Sequence, residues 1–137
     1  MDENAVIDSV CARLDGMGYQ VMQRLTTTQR GVDIVALDQE TGQQFFIEAK
    51  GNTSSRKGSK RFGQPYTQSQ VFDRVAKGVF TCLRLRAEYP DRDDTHVVLA
   101  VPDGTRFRAY LTPVLQSLQE AGIEVWFEPV KGTGSSE

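Results

Sequence analysis

Asp33, separated by fourteen residues from Glu48, with Lys50 two positions further on, brings two carboxylates and an ammonium to one stretch of chain. Val32 to Leu37 and Gln44 to Lys50 are apolar runs rich in β-formers, and the polar cluster Asp38-Gln39-Glu40-Thr41-Gly42 lies between them. That pattern predicts an antiparallel hairpin. With the loop centred near Glu40 and Thr41, Asp33 falls opposite Glu48 and Val35 opposite Phe46, and opposed residues share a face. The strand period of two adds Lys50 to that face. Ile34, Ala36, Phe45, Ile47 and Ala49 occupy the other face, while Val35, Leu37 and Phe46 accompany Asp33, so both sides of the hairpin are expected to be buried.

An unpaired charge taken out of water costs several kcal/mol or shifts its pKa until it is neutral, so something must offset the burial of these acids. One solution is a structural ion pair in which Lys50 bridges the carboxylates. The other is a divalent cation, because two facing carboxylates are hard oxygen ligands suited to magnesium or manganese, which leaves the lysine for a reacting phosphate.

The run Gly31-Val32-Asp33-Ile34 followed by Glu48-Ala49-Lys50 resembles the PD-(D/E)xK nuclease superfamily, with its restriction-endonuclease-like fold. The resemblance implies an α/β domain with a central mixed β-sheet flanked by helices, in the order αβββαβαβ. It implies metal-dependent hydrolysis of phosphodiester bonds in nucleic acid, with DNA the first substrate to consider. Asp33 and Glu48 would hold Mg2+ or Mn2+, the Ala49 carbonyl would be a further ligand, and Lys50 would be catalytic. Members often carry an acid on the first helix, which here would be Glu3, although an acid at a helix N-terminus is favourable without any metal. A glutamine on the helix after the site would be Gln68, with Gln70 beside it; a solvated first-turn amide is the plain alternative. Two other functions remain open: a non-catalytic nucleic-acid-binding module of the same fold, and a protein-interaction domain in which the acids and lysine are an ion pair.

Composition sets bounds on these readings. The chain has 137 residues, 39% hydrophobic and 25% charged, as expected of one soluble globular domain. No apolar run approaches the ~20 residues of a membrane span. The acidic start Asp2-Glu3 lacks the features of a secretory signal, so a cytoplasmic address is expected. Cys11 and Cys82 each fall in an apolar helical pattern and are expected to be reduced core residues. A single histidine, His96, argues against zinc. The net charge of −2 is unevenly spread: Gly51 to Tyr66 holds Arg56, Lys57, Lys60 and Arg61 and no acid, which leaves −6 on the remainder. These four cations are candidate contacts to nucleic-acid phosphates, or else a solvated surface loop.

The elements that must position the candidate site follow from periodicity. Val6, Ile7, Val10, Cys11 and Leu14 predict a helix ending near Gly16 and Gly18. Tyr19 to Leu25 predicts a strand and Thr26 to Arg30 a loop. Gly51 to Pro65 predicts a long loop. It is no phosphate-binding P-loop, since Arg56 stands where a glycine is required and Gly58 where Ser or Thr is. Val71, Phe72, Val75, Ala76, Val79, Phe80 and Leu83 form a broad helical stripe running to about Glu88. Thr95 to Val101 predicts a fully buried strand, parallel to its neighbour because a helix precedes it. Phe107 and Tyr110, set among Arg106 and Arg108, suggest a short extension or a second basic contact. Thr112 is an expected N-cap with Pro113 at the first helical position, Gly122 the expected stop, and Ile123 to Phe127 the last strand. Residues 1–130 form one domain in this reading and 131–137 a disordered tail. A homodimer is a further expectation, since one small domain needs a second site to cut both strands.

Overall fold

The computed structural model describes residues 1–24, 31–52 and 66–129. The tail at 131–137 and the basic residues Arg56, Lys57, Lys60 and Arg61 lie outside the described residues. Helix α1 (Glu3–Gly16) is followed by strands β1 (Gln20–Arg24), β2 (Ile34–Leu37) and β3 (Gln44–Ala49), then helix α2 (Gln68–Glu88) and strand β4 (Thr95–Pro102). Helix α3 (Thr105–Leu111), a 3-10 turn (Thr112–Val114), helix α4 (Leu115–Glu120) and strand β5 (Ile123–Glu128) complete the order. The five strands form one mixed sheet in the order β1-β2-β3-β4-β5, antiparallel through β3 and parallel from β3 to β5. The protein is thus α/β, with helices against both faces of the sheet.

Local chemistry explains the element boundaries. Asp2 caps α1 by accepting from the Ala5 amide at 2.8 Å, and Gly18 turns the chain out of it at φ 85°. The hairpin loop closes with Gly42 N–H donating to Asp38 O at 2.8 Å and Asp38 N–H to Gln43 O at 2.9 Å. Thr67 and Gln70 form a reciprocal capping box at the start of α2.

Val6, Ile7, Val10 and Leu14 of α1 pack on Ile34, Ala36, Phe45, Ile47, Ala49, Val98 and Ala100. The other face, with Phe46, Val97, Leu99, Val101 and Ile123, receives Val71, Val75, Cys82 and Leu85 of α2, Phe107 and Leu111 of α3 and Leu118 of α4. The broad stripe of α2 is therefore divided. Val71, Val75, Cys82 and Leu85 face the sheet, whereas Phe72, Phe80 and Leu83 are exposed. Both cysteines are free. No helix among the described residues is long and apolar enough to cross a membrane.

Two expectations are corrected. The segment around Phe107 is a helix and not an extension, because Phe107 and Leu111, both fully buried, are spaced one turn apart and outweigh the apparent alternation. Thr112 is not an N-cap: it is helical at φ −54°, ψ −44°, so the chain passes from α3 into the 3-10 turn, and Val114 precedes α4. Arg106 donates to Tyr66 O at 2.8 Å and Arg108 pairs with Asp103, so both have partners inside the chain.

The sheet's C-terminal edge is tied to α1 through charge. Glu128 of β5 is 1% exposed and accepts from Ser9 Oγ at 2.8 Å and Arg13 Nη2 at 2.6 Å. Glu128→Gln leaves Arg13 without its charged partner and is expected to cost about 1–3 kcal/mol. Urea denaturation measures this; a midpoint equal to that of the unmodified protein would mean the ion pair contributes nothing.

Candidate active site

The hairpin register is the one that places the two acids together. Ile34 pairs with Ile47, Val35 with Phe46 and Leu37 with Gln44, so Asp33, one residue before β2, continues the ladder opposite Glu48. Asp33 is 7% and Glu48 8% exposed, on the α2 side of the sheet. The Ala49 amide donates to Asp33 Oδ2 at 2.8 Å, which fixes that carboxylate across the strand gap. Lys50 Nζ lies 3.1 Å from Glu48 Oε2. Lys50 therefore contacts one acid, and the other is held by backbone.

Electrostatics at this end of the sheet are unbalanced. Burial, followed by the charge of Glu48, pushes the Asp33 carboxyl from 3.8 up to about 7, against the opposing effects of the Ala49 N–H and Lys50. Glu3 belongs to the same neighbourhood: burial raises its pKa, Lys50 lowers it and Glu48 raises it again. The Cys82 thiol, close enough to feel Glu48, Lys50 and Asp33, is pushed up to about 12 mainly by burial and stays protonated.

Close backbone approaches hold these groups in place. A Cβ on Gly51 would sit 2.3 Å from the Glu3 nitrogen and 2.5 Å from the Asp2 carbonyl carbon, so only glycine lets the start of α1 lie beside Lys50. Asn52 then clamps the N-terminus, donating its backbone amide to Met1 O at 2.9 Å and accepting from the Met1 amine at 2.7 Å. On the other side, a Cβ on Gly78 would meet Leu99 Cδ1 at 2.7 Å and the Lys50 stem at 3.4 Å. Glycine inside a helix costs about 1 kcal/mol relative to alanine, and here it lets α2 lie against the lysine. Sequence reasoning does not single out these two glycines or Asn52. The available signal is a glycine directly after Lys50 and another inside the α2 stripe.

The remaining candidates are placed differently. Gln68 is exposed on the first turn of α2, and the Gln70 side chain is committed to the capping box. Arg74, one turn further along α2, lies near enough to Glu3 to lower its pKa and donates to the Tyr66 hydroxyl at 3.3 Å. Among the described residues no three His, Cys, Asp or Glu side chains are grouped to hold a metal ion, so Glu3 does not join Asp33 and Glu48 in a three-acid cage. The donor chemistry still suits magnesium, which keeps several waters and takes one or two protein carboxylates. Asp33 and Glu48 are such a pair of carboxylates, and burial followed by the charge of Glu48 raises the pKa of Asp33.

The sign of the pH dependence follows. Between pH 4 and 7, roughly, the folded protein keeps a proton on Asp33 that the unfolded chain has released, so stability falls as pH rises through that window. Asp33→Asn removes this titration while its amide oxygen can still accept from the Ala49 amide. The variant is expected to gain on the unmodified protein at pH 8 and to lose that advantage at pH 4, with EDTA present throughout. Denaturant midpoints across this range check it, and parallel curves for the two proteins would show that the burial of Asp33 carries no penalty.

Gly51→Ala is expected to destabilise by about 1–3 kcal/mol, since the added methyl meets backbone that cannot rotate away. A melting temperature unchanged by that substitution would exclude the close approach at α1.

Comparison with known proteins supplies no family for this arrangement: no family model, no curated protein and no solved structure matches the chain.

Proposed function

We propose that the protein is a metal-dependent nuclease of the restriction-endonuclease-like fold, hydrolysing phosphodiester bonds of nucleic acid, with DNA the favoured substrate. The observation that carries this reading is the meeting of Asp33, Glu48 and Lys50 at the end of adjacent strands, with one lysine beside two buried acids. In this reading Asp33 and Glu48 would hold Mg2+ or Mn2+, with the Ala49 carbonyl as the further ligand that the superfamily resemblance suggests. A bound divalent ion supplies positive charge where the scissile phosphate gathers negative charge and activates the attacking water.

The chain's own groups do the rest. The Ala49 amide orients Asp33, so the carboxylate would meet a metal ion without first reorganising. Lys50, its stem confined between Gly78 and the strand, presents a fixed cation to the nucleophile or the transition state. Arg56, Lys57, Lys60 and Arg61 follow Lys50 closely in the chain and would contact phosphates without reading bases. Duplex cleavage by a chain with one such site calls for two copies, hence a homodimer on the substrate.

The rival is a nucleic-acid-binding module without catalysis. The Glu48–Lys50 contact instead belongs to the third reading, a protein-interaction domain in which the acids and lysine are an ion pair. Incubation with linear, branched and single-stranded substrates, with magnesium or manganese against EDTA, separates the nuclease from the binding module. Metal-dependent cleavage that disappears in Lys50→Ala while substrate binding persists is the expected result, since the lysine acts mainly on the transition state. Undiminished turnover by purified Lys50→Ala would falsify its assignment as a catalytic group.

Neutralising Arg56, Lys57, Lys60 and Arg61 together is expected to weaken binding to all sequences alike. The slope of log affinity against log salt should fall by about 0.9 for each duplex phosphate that the variant no longer neutralises. An unchanged slope would assign these residues to solvent.

A further inference from the structure

The opposite end of the sheet holds two neighbouring arginines that the proposed reaction does not use, beside a turn that also carries Asp91, Asp93 and Asp94. In the β3–β4 register Ala49 pairs with Ala100 while β4 begins at Thr95, about 16 Å away along the strand. There Arg86, near the end of α2, is only 8% exposed. Its Nη1 donates to Tyr89 O at 3.1 Å and its Nη2 to Thr95 O at 2.7 Å. Its Nε is buried with no hydrogen-bond partner among the described residues. Arg92, exposed at the surface, donates from Nη2 to Glu120 O at 2.9 Å.

Both guanidinium groups converge on Gly122, where a Cβ would stand 2.9 Å from Arg92 Nε and 3.1 Å from Arg86 Nε. The φ of 85° at Gly122 favours glycine there independently. Neither arginine forms a salt bridge among the described residues. Asp91 and Glu124 act on Arg86 through charge, yet burial and then the like charge of Arg92 outweigh them and lower its pKa. Glu124 is turned toward His96, with Oε2 3.0 Å from Nδ1. The two arginines line a cavity of about 300 Å³ together with Thr95, His96, Gln119, Gly122, Ile123 and Glu124.

We propose that this cavity is an anion site that takes a phosphate group between Arg86 and Arg92. Guanidinium donors form strong charge-assisted hydrogen bonds to oxyanions. Two such groups arriving from different elements suit a tetrahedral phosphate, which offers oxygens in more than one plane, better than a planar carboxylate. The cavity is at the small end of the range for ligand sites and admits a phosphate with part of an attached group. The phosphate comes either from a free nucleotide or from a nucleic-acid backbone, and neither source depends on the chemistry at Asp33 and Glu48.

The test follows the side-chain Nε–Hε resonances of Arg86 and Arg92 in ¹⁵N-labelled protein at low ionic strength. Inorganic phosphate, a nucleoside monophosphate and a short single-stranded oligonucleotide are added in separate titrations. A saturable shift with inorganic phosphate is expected, with a dissociation constant on the order of 1 mM. Arg92→Gln, at an exposed position that should tolerate the change, is expected to weaken binding about tenfold, whereas Lys50→Ala leaves it unchanged. Tighter binding of the nucleoside monophosphate than of phosphate identifies a nucleotide as the source, and tighter binding of the oligonucleotide identifies the backbone. No saturable shift with any of the three probes, or equal affinity in folded Arg92→Gln, overturns the site.

Discussion

Both faces of the β2–β3 hairpin are covered, one by α1 and the other by α2, and this constraint leaves its register no freedom. A slip of one residue would exchange Ile34, Ala36, Phe45 and Ile47 with Val35, Phe46 and Glu48 between two packed layers. The apolar packing of the central strands opposes such a slip throughout. Asp33 and Glu48 therefore face one another because the core dictates it, even though their mutual repulsion favours separation. The pKa of Asp33 is raised first by its burial there and then by the charge of Glu48.

The parallel half of the sheet extends this constraint to Lys50. Lys50 N–H donates to Ala100 O at 3.0 Å, so the lysine leaves β3 in register with β4 and not in a free loop. Its stem then passes Gly78, and the next residue, Gly51, meets the backbone at the start of α1. Two layers from opposite faces of the sheet thus close on the same end of β3. Glu3, one turn before the buried Ile7 on the core-facing stripe of α1, is carried into the field of Glu48 and Lys50 by that closure.

Charge is distributed along the strand direction. The end where β3 and β4 finish gathers Glu3, Asp33 and Glu48 around one lysine. The end where β4 begins carries Arg86 and Arg92 against Gly122. The two clusters lie about 16 Å apart along the strand, and that distance keeps their interaction weak.

Much of this was legible in the residues alone. The hairpin, its register, the pairing of Val35 with Phe46 and the extents of α1, α2 and β4 follow from periods of two and 3.6 and from local stop signals. These are short-range rules, and the segments are long enough to express them. Helix α3 escaped because seven residues with one buried pair, Phe107 and Leu111, carry too little periodicity to outweigh an apparent alternation. The apolar stripe of α2 was visible, but not which part of it meets the sheet, because that depends on which elements become its neighbours in space. Close approach was equally hidden. That Gly51 and Gly78 matter for lacking a Cβ, or that Arg86 and Arg92 meet over Gly122, depends on which elements become neighbours in space, and only the tertiary structure decides that.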